Sequence, residues 1–272
     1  MPEDPLAPEV VADRVVGRHP GGLRAKLGGL AAAALVVVAK LKTILLVLLN
    51  LKFVLTVFSA LASIFLYGLA FGWQFGVGFV ALLAIHEFGH WVAIRREGLP
   101  AGLPVFIPFL GAVISLRQQP LSAWQEFKIA AAGPAFGTVA SAILLGLGLY
   151  LAPTHDAGLF LSLAYIGFFL QLFNLIPVAP LDGGRIMAAV SPAVWWIGLP
   201  ILIGAAFLLR SVFTGIIALL VLVQLFARWR GRKAETAEGY YHVTPLRRTL
   251  AGATWLLLVL VCIAGMGVVG AI

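Results

Sequence analysis

Apolar runs of roughly 20 residues recur along this chain, each long enough to cross a bilayer unaided. They predict spans at 53–71, 74–94, 129–151, 159–176, 193–209, 212–227 and 250–272. Two stretches break the rhythm. Residues 23–52 are apolar but interrupted by Lys26, Lys40, Lys42 and Lys52, which reads as basic amphipathic helix on the membrane interface with the lysines snorkelling; a further span is the alternative. Between 99 and 124, prolines at 100, 104, 108 and 120 forbid a continuous helix, yet 105–116 is strongly apolar and partly β-branched. Such backbone survives in a membrane only when buried in protein or lining a cavity. A re-entrant, β-like segment near 104–116 is expected, with a greasy surface connector as the other reading. The first 22 residues carry Pro2, Pro5, Pro8 and Pro20 among acids and read as a disordered tail. They lack the basic start and cleavage site of a signal peptide. The fold class expected is therefore an all-α polytopic membrane protein of about six to seven transmembrane helices.

Composition agrees. Hydrophobic residues make up 61% and charged ones 11%, against about 45–50% and about 25% in an ordinary soluble domain. That much apolar surface cannot be hidden in one soluble core. The net charge of +8 could suggest nucleic acid, but its distribution points elsewhere. Threading the spans alternately from an inside N-terminus places every Lys and Arg except Arg210 on one side, the positive-inside pattern. The basic run Arg228 to Lys233 is expected to rest on anionic lipid, and no nucleic-acid partner is expected. Cys262 is the only cysteine, which excludes a disulfide scaffold and any zinc site built from several thiolates. No G-x-x-x-x-G-K-[ST] pattern exists, which argues against an ATP-driven machine.

Ionisable residues inside spans are rare and usually functional. The second span contains His86, Glu87 and His90 in the order H-E-x-x-H. Histidines at i and i+4 share a helix face, so both imidazoles can reach one Zn²⁺, while the adjacent acid can take a proton from an activated water. The competing reading is an interhelical polar cluster serving packing, but packing alone does not require both histidines and the acid at this spacing. Tetrahedral zinc with one open position needs a third protein ligand. Asp182, in FNLIPVAPLDGGR at the inner end of the fourth span, returns to the depth of the histidines. Pro177 and Pro180 end the helix there, and Gly183 and Gly184 permit a tight turn that aims the carboxylate inward. Alternatively, Asp182 caps the next helix. Asn174 can donate its amide to a substrate carbonyl or a developing oxyanion. Elsewhere, His19, His155 and His242 read as solvated, Glu126 and Lys128 as interfacial anchors or an ion pair, and Trp195 and Trp196 as part of the aromatic belt.

HEFGH in one span and NLIPVAPLDGG at the end of a later one, with AAGPAFG at 131–137 between them, together resemble the site-2 protease family of intramembrane zinc metalloproteases. The resemblance covers about 72–187 and implies that His86, His90 and Asp182 bind zinc and that Glu87 is the general base. It also implies that Asn174 helps hold the substrate or the oxyanion, and that the proline-rich segment presents a strand edge to the substrate. Gly137 departs from the pattern, standing where many members have Asn. No mixed-polarity stretch of PDZ size is present, so a compact form is expected.

The domains expected are a tail at 1–22, interfacial helices at 23–52, an intramembrane metalloprotease core at 53–227, a basic cytoplasmic loop at 228–249 and a C-terminal transmembrane helix at 250–272. The activity expected is hydrolysis of a peptide bond within or near the transmembrane segment of a membrane-protein substrate, that is, regulated intramembrane proteolysis. Abundant Ala, Gly and Arg point to a bacterial cytoplasmic membrane, with a plastid membrane as the alternative and the active site toward the cytoplasm. A transporter or metal-binding channel using the same His, Glu and Asp cluster is the rival reading. It calls for polar residues along a whole transmembrane path, whereas here they gather near one face. A zinc protease with Glu as its third ligand would have only Glu235 and Glu238 to draw on after Asp182.

Overall fold

The structure, a computed structural model, describes residues 23–108, 111–116, 118–152, 157–208, 210, 212–230 and 239–272. The expected tail at 1–22 and much of the basic loop, 231–238, lie outside the described residues, as do His19 and His155. The chain divides into two units, Met1–Leu51 and Lys52–Ile272. The described part of the first is helical throughout.

Helix α1 runs Leu23–Phe71 and α2 runs Trp73–Arg96. The break comes at Gly72, whose φ of 92° lies in the left-handed region that glycine enters without a Cβ penalty. The next element is a hairpin, β1 (Ala101–Ile107) and β2 (Gly111–Leu116), paired antiparallel with Pro104 opposite Ile114 and Phe106 opposite Ala112. The proline-rich segment is thus extended backbone, in keeping with its composition. Helices α3 (Ala123–Tyr150), α4 (Ala157–Asn174) and the short α5 (Asp182–Ala188) come next. A single 3-10 turn, Pro192–Val194, leads to α6 (Trp195–Leu208), α7 (Val212–Arg230) and α8 (Pro245–Gly270).

This is a multi-pass membrane protein. Among the described residues, five helical segments are long and apolar enough to span: Phe53–Phe71, Trp73–Arg96, Ala123–Tyr150, Ala157–Asn174 and Pro245–Gly270. The other two apolar segments are shorter, Pro192–Leu208 and Thr214–Val223. Pro200 lies inside α6, where its missing N–H removes a rung of the helix.

The core sits where α3, α4, α5 and α8 meet, around Phe127, Phe168, Leu175, Ile186, Ala251 and Cys262. Small residues let these helices approach closely, as is usual where packing rather than water expulsion drives association. Ser122 caps α3, its Oγ accepting from the Gln125 backbone N–H at 3.2 Å. Two hydroxyls of α1 attend to the outer edge of β1: Thr56 Oγ1 donates to the Pro104 carbonyl at 2.7 Å, and Ser59 Oγ accepts from the Phe106 N–H at 3.1 Å.

Candidate metal centre

Helix α2 carries His86 and His90 one turn apart on the face turned to α3 and α4, and both side chains are buried. Their placement depends on α3 coming close. A Cβ on Gly89 would lie 2.5 Å from the Ala132 carbonyl oxygen, and one on Gly133 would lie 2.2 Å from His90 Nε2. A Cβ at either position would force its neighbour to move, so α3 passes directly beneath the imidazoles.

Asp182 arrives from the other side. Helix α4 ends at Asn174, and the chain turns through 175–181 with a cis peptide between Ala179 and Pro180 before α5 begins at Asp182. Two indoles hold this non-helical stretch and the start of α5. Trp255 Nε1 donates to the Leu175 carbonyl at 2.7 Å, and Trp195 Nε1 to the Gly184 carbonyl at 2.8 Å. Trp195 is therefore a buried anchor rather than a member of the aromatic belt; Trp196 stays exposed. Gly183 and Gly184 also differ from expectation. They lie within α5 and serve close packing, since a Cβ on them would fall 2.0 Å from the Leu175 carbonyl oxygen and 2.1 Å from the Ala179 nitrogen. Asp182 is the first residue of α5, and the capping position is Leu181, which makes no side-chain cap.

The result is a triangle of ligand atoms. His86 Nε2 lies 3.1 Å from His90 Nε2, and Asp182 Oδ2 lies 3.2 Å from the first and 3.1 Å from the second. The other ring nitrogens are occupied: His86 Nδ1 is 2.6 Å from Gln171 Oε1 and His90 Nδ1 is 2.9 Å from the Ile129 carbonyl oxygen. Because those partners only accept, each neutral ring carries its proton on Nδ1 and turns a lone pair of Nε2 inward. Two lone pairs and a carboxylate then converge in a buried place, an arrangement that needs a positive charge at its centre.

The donor set suits a divalent metal. An ion with tetrahedral bonds of about 2.0–2.1 Å holds its ligand atoms roughly 3.3–3.4 Å apart, close to the sides of this triangle. Three protein donors leave one tetrahedral position open, the pattern of catalytic rather than structural zinc. Among the described residues, His86, His90 and Asp182 are the group of three or more such side chains that could hold an ion. The Asp182 carboxylate is buried among these lone pairs. A cation at this point keeps it ionised.

Glu87 lies next to His86 on α2 and is buried, 7% exposed. Asn174 closes α4 half-buried, its Nδ2 donating to the Leu170 carbonyl at 3.0 Å, a bond within its own helix that uses one of two amide hydrogens. Outside the triangle, Arg185 links Asp182 Oδ1, at 3.5 Å, to Glu126 Oε1, at 3.1 Å. Glu126 in turn accepts from the Tyr240 hydroxyl, whose pKa is pushed above its usual range by burial and by this acid. Lys128 pairs with Glu97 at 2.5 Å. Glu126 and Lys128 thus serve different partners, as residues two apart on a helix face different ways.

A chain that crosses the membrane several times and brings a helical H-E-x-x-H together with a distant aspartate defines the class: a membrane protein with a buried site of catalytic-metal type. Residues 74–160 and 152–196 match the profile of Peptidase family M50. That segment, less than half of the chain, is similar to that family. Three relatives, each with zinc metalloprotease in its name, are similar to part of this chain. Rip3 of Mycobacterium tuberculosis is 35% identical over 125 residues, 43% of this chain and 32% of Rip3. The Synechocystis protein sll0528 is 33% identical over 119 residues, 43% of this chain and 30% of its own length. MJ0392 of Methanocaldococcus jannaschii is 28% identical over 109 residues, 40% of this chain and 31% of its length. The chain spans about a third of the length of these relatives.

Gln171 and Gly133 do not stand out from the motifs. A signal for Gln171 is nonetheless present, since it is the one amide inside the apolar run GFFLQLF of α4, and polar groups within spans are seldom idle. Gly133 gives no signal beyond its place in the Gly-Pro segment.

Proposed function

We propose that this chain is a zinc metalloprotease that hydrolyses a peptide bond within or near the transmembrane segment of a membrane-protein substrate. The observation that carries the reading is the convergence of two imidazole nitrogens and one carboxylate oxygen within 3.2 Å of one another, with Glu87 adjoining on the same helix. His86, His90 and Asp182 would hold the ion. Zinc bound there supplies Lewis-acid chemistry, activating a water and polarising a carbonyl. Glu87 takes a proton from the attacking water as the new C–O bond forms, then passes it to the amine as the C–N bond breaks. The remaining N–H of Asn174 can donate to the oxyanion.

A transmembrane helix hides its carbonyls in its own hydrogen bonds, so the substrate must unwind before attack. Pairing with the hairpin offsets the bonds lost. The outward groups of Pro104 and Phe106 are taken by α1. Their partners Ile114 and Ala112 form non-hydrogen-bonded pairs with them and so turn their own N–H and C=O to the outer edge of β2. We assign that edge to the substrate.

The positive-inside distribution, with Arg95 and Arg96 ending the helix that carries the histidines, supports a site opening to the cytoplasm of a bacterial cell. One experiment addresses reaction and orientation together. In cells co-expressing a substrate with a single span and a cytoplasmic reporter, the wild-type chain should release the reporter into the cytoplasm. Glu87→Gln should abolish release while zinc stays bound. Cleavage persisting in that variant contradicts the role of Glu87, and a cut mapped to the outer half of the substrate span contradicts the orientation.

A further inference from the structure

Two imidazoles converge in the triangle, and each is steered by what its other nitrogen meets. For His90 that is the Ile129 backbone carbonyl, which no substitution at 129 removes. For His86 it is a side chain, Gln171 Oε1 at 2.6 Å. Gln171 is fully buried, at 0% exposure, and comes from a different helix, α4 rather than α2.

The Gln171 amide is a poor choice for stability alone. Its Nε2 has no hydrogen-bond partner among the described residues, and a buried orphan donor costs about as much as its partnered oxygen contributes. An apolar side chain of the same size would avoid that cost. The amide is also held in one orientation. A Cβ on Gly137 of α3 would lie 2.3 Å from Nε2, 2.4 Å from Cδ and 2.6 Å from Oε1, so the amide lies flat against the α3 backbone, in space that glycine leaves open. Oε1 faces His86. Were Nε2 there instead, it would donate to Nδ1, force the ring proton onto Nε2, and remove the lone pair that a metal requires.

We propose that Gln171 is a positioning residue that fixes His86 in its metal-binding tautomer, with Gly137 providing the space that holds the amide in place. The inference rests on the reading of His86, His90 and Asp182 as a zinc centre. Gln171 touches neither substrate nor ion; it acts through the His86 ring.

The test uses the purified full chain in detergent, stripped of metal and titrated with Zn²⁺ against a chromophoric chelator, with Co²⁺ as a spectroscopic probe of coordination. Gln171→Leu removes the acceptor and should weaken Zn²⁺ binding by about 10–100-fold and shift the Co²⁺ absorption bands. Gln171→Glu keeps an acceptor on Nδ1 and should bind Zn²⁺ at least as tightly as the wild type. Gly137→Ala should weaken binding by pushing the amide aside, and should add little to the loss already caused by Gln171→Leu. Wild-type affinity and spectrum in Gln171→Leu overturn the proposal. If that variant does not fold, the other two decide: loss of zinc in Gln171→Glu, or its full retention in Gly137→Ala, overturns it. A wild-type chain that binds no Zn²⁺ overturns the metal centre itself, an outcome distinct from a bound ion that is indifferent to residue 171.

Discussion

Among single residues, the pair His86 and His90 is legible in the sequence because helix geometry fixes what i and i+4 can share. Asp182 is harder, since nothing in a spacing of this length dictates contact. What makes it visible is chemistry that ends a helix, with Pro177 and Pro180 just before an acid at membrane depth. The supporting glycines work by a mechanism their sequence does not suggest. Gly183 and Gly184 resemble turn formers, yet they act by lacking a side chain where two backbones meet, a demand that only the three-dimensional crossing reveals. Gly133 shows the same principle next to the metal ligands. Its replacement by alanine would place a methyl 2.2 Å from His90 Nε2. The imidazole must then leave the triangle, or α2 and α3 must part at an overpacking cost of about 1–3 kcal/mol. Gly133→Ala is expected to lower zinc affinity at least about tenfold while leaving helix content by circular dichroism unchanged. A variant that folds and binds zinc as the wild type does would show that the ring has room to spare.

Among the helices and strands, apolar run length locates the helices well, because a bilayer sets one length for all of them. The boundaries obey local rules. Ser122 starts α3 and Gly72 separates α1 from α2, while the lysines before residue 52 do not interrupt α1. Charge can be tolerated on a helix that reaches an interface, so it marks depth and not helix ends. The hairpin is legible as extended chain from its prolines and β-branched residues, but the edge that α1 covers is not. Only the positions of Thr56 and Ser59 show that α1 covers β1, and the proposed placing of a substrate on β2 rests on them. Ala112→Pro deletes an N–H that faces outward and no rung of the β1–β2 ladder. Losing one such hydrogen bond is worth about 1 kcal/mol, so cleavage should fall roughly fivefold with zinc content intact. Unaltered cleavage rates in a folded Ala112→Pro protein would assign the substrate to another surface.

Across the molecule as a whole, the site exists because α2, α3, α4 and α5 are packed together by contacts outside the triangle of ligand atoms. Trp195 on α6 and Trp255 on α8 hold the stretch from Leu175 to Gly184. Arg185, Glu126 and Tyr240 tie Asp182 to α3 and to the segment before α8. None of these long-range partners can be read from sequence patterns, since each joins elements whose order does not determine their adjacency. All of them serve one arrangement, in which side chains ninety-two positions apart converge on the point where the proposed function places a single ion. Metal content of the purified chain, determined beside that of His86→Ala and Asp182→Ala, tests this sharing. One zinc per wild-type chain is expected, with its loss in both variants, each still folded. Stoichiometric zinc retained in Asp182→Ala, at wild-type affinity, would contradict it.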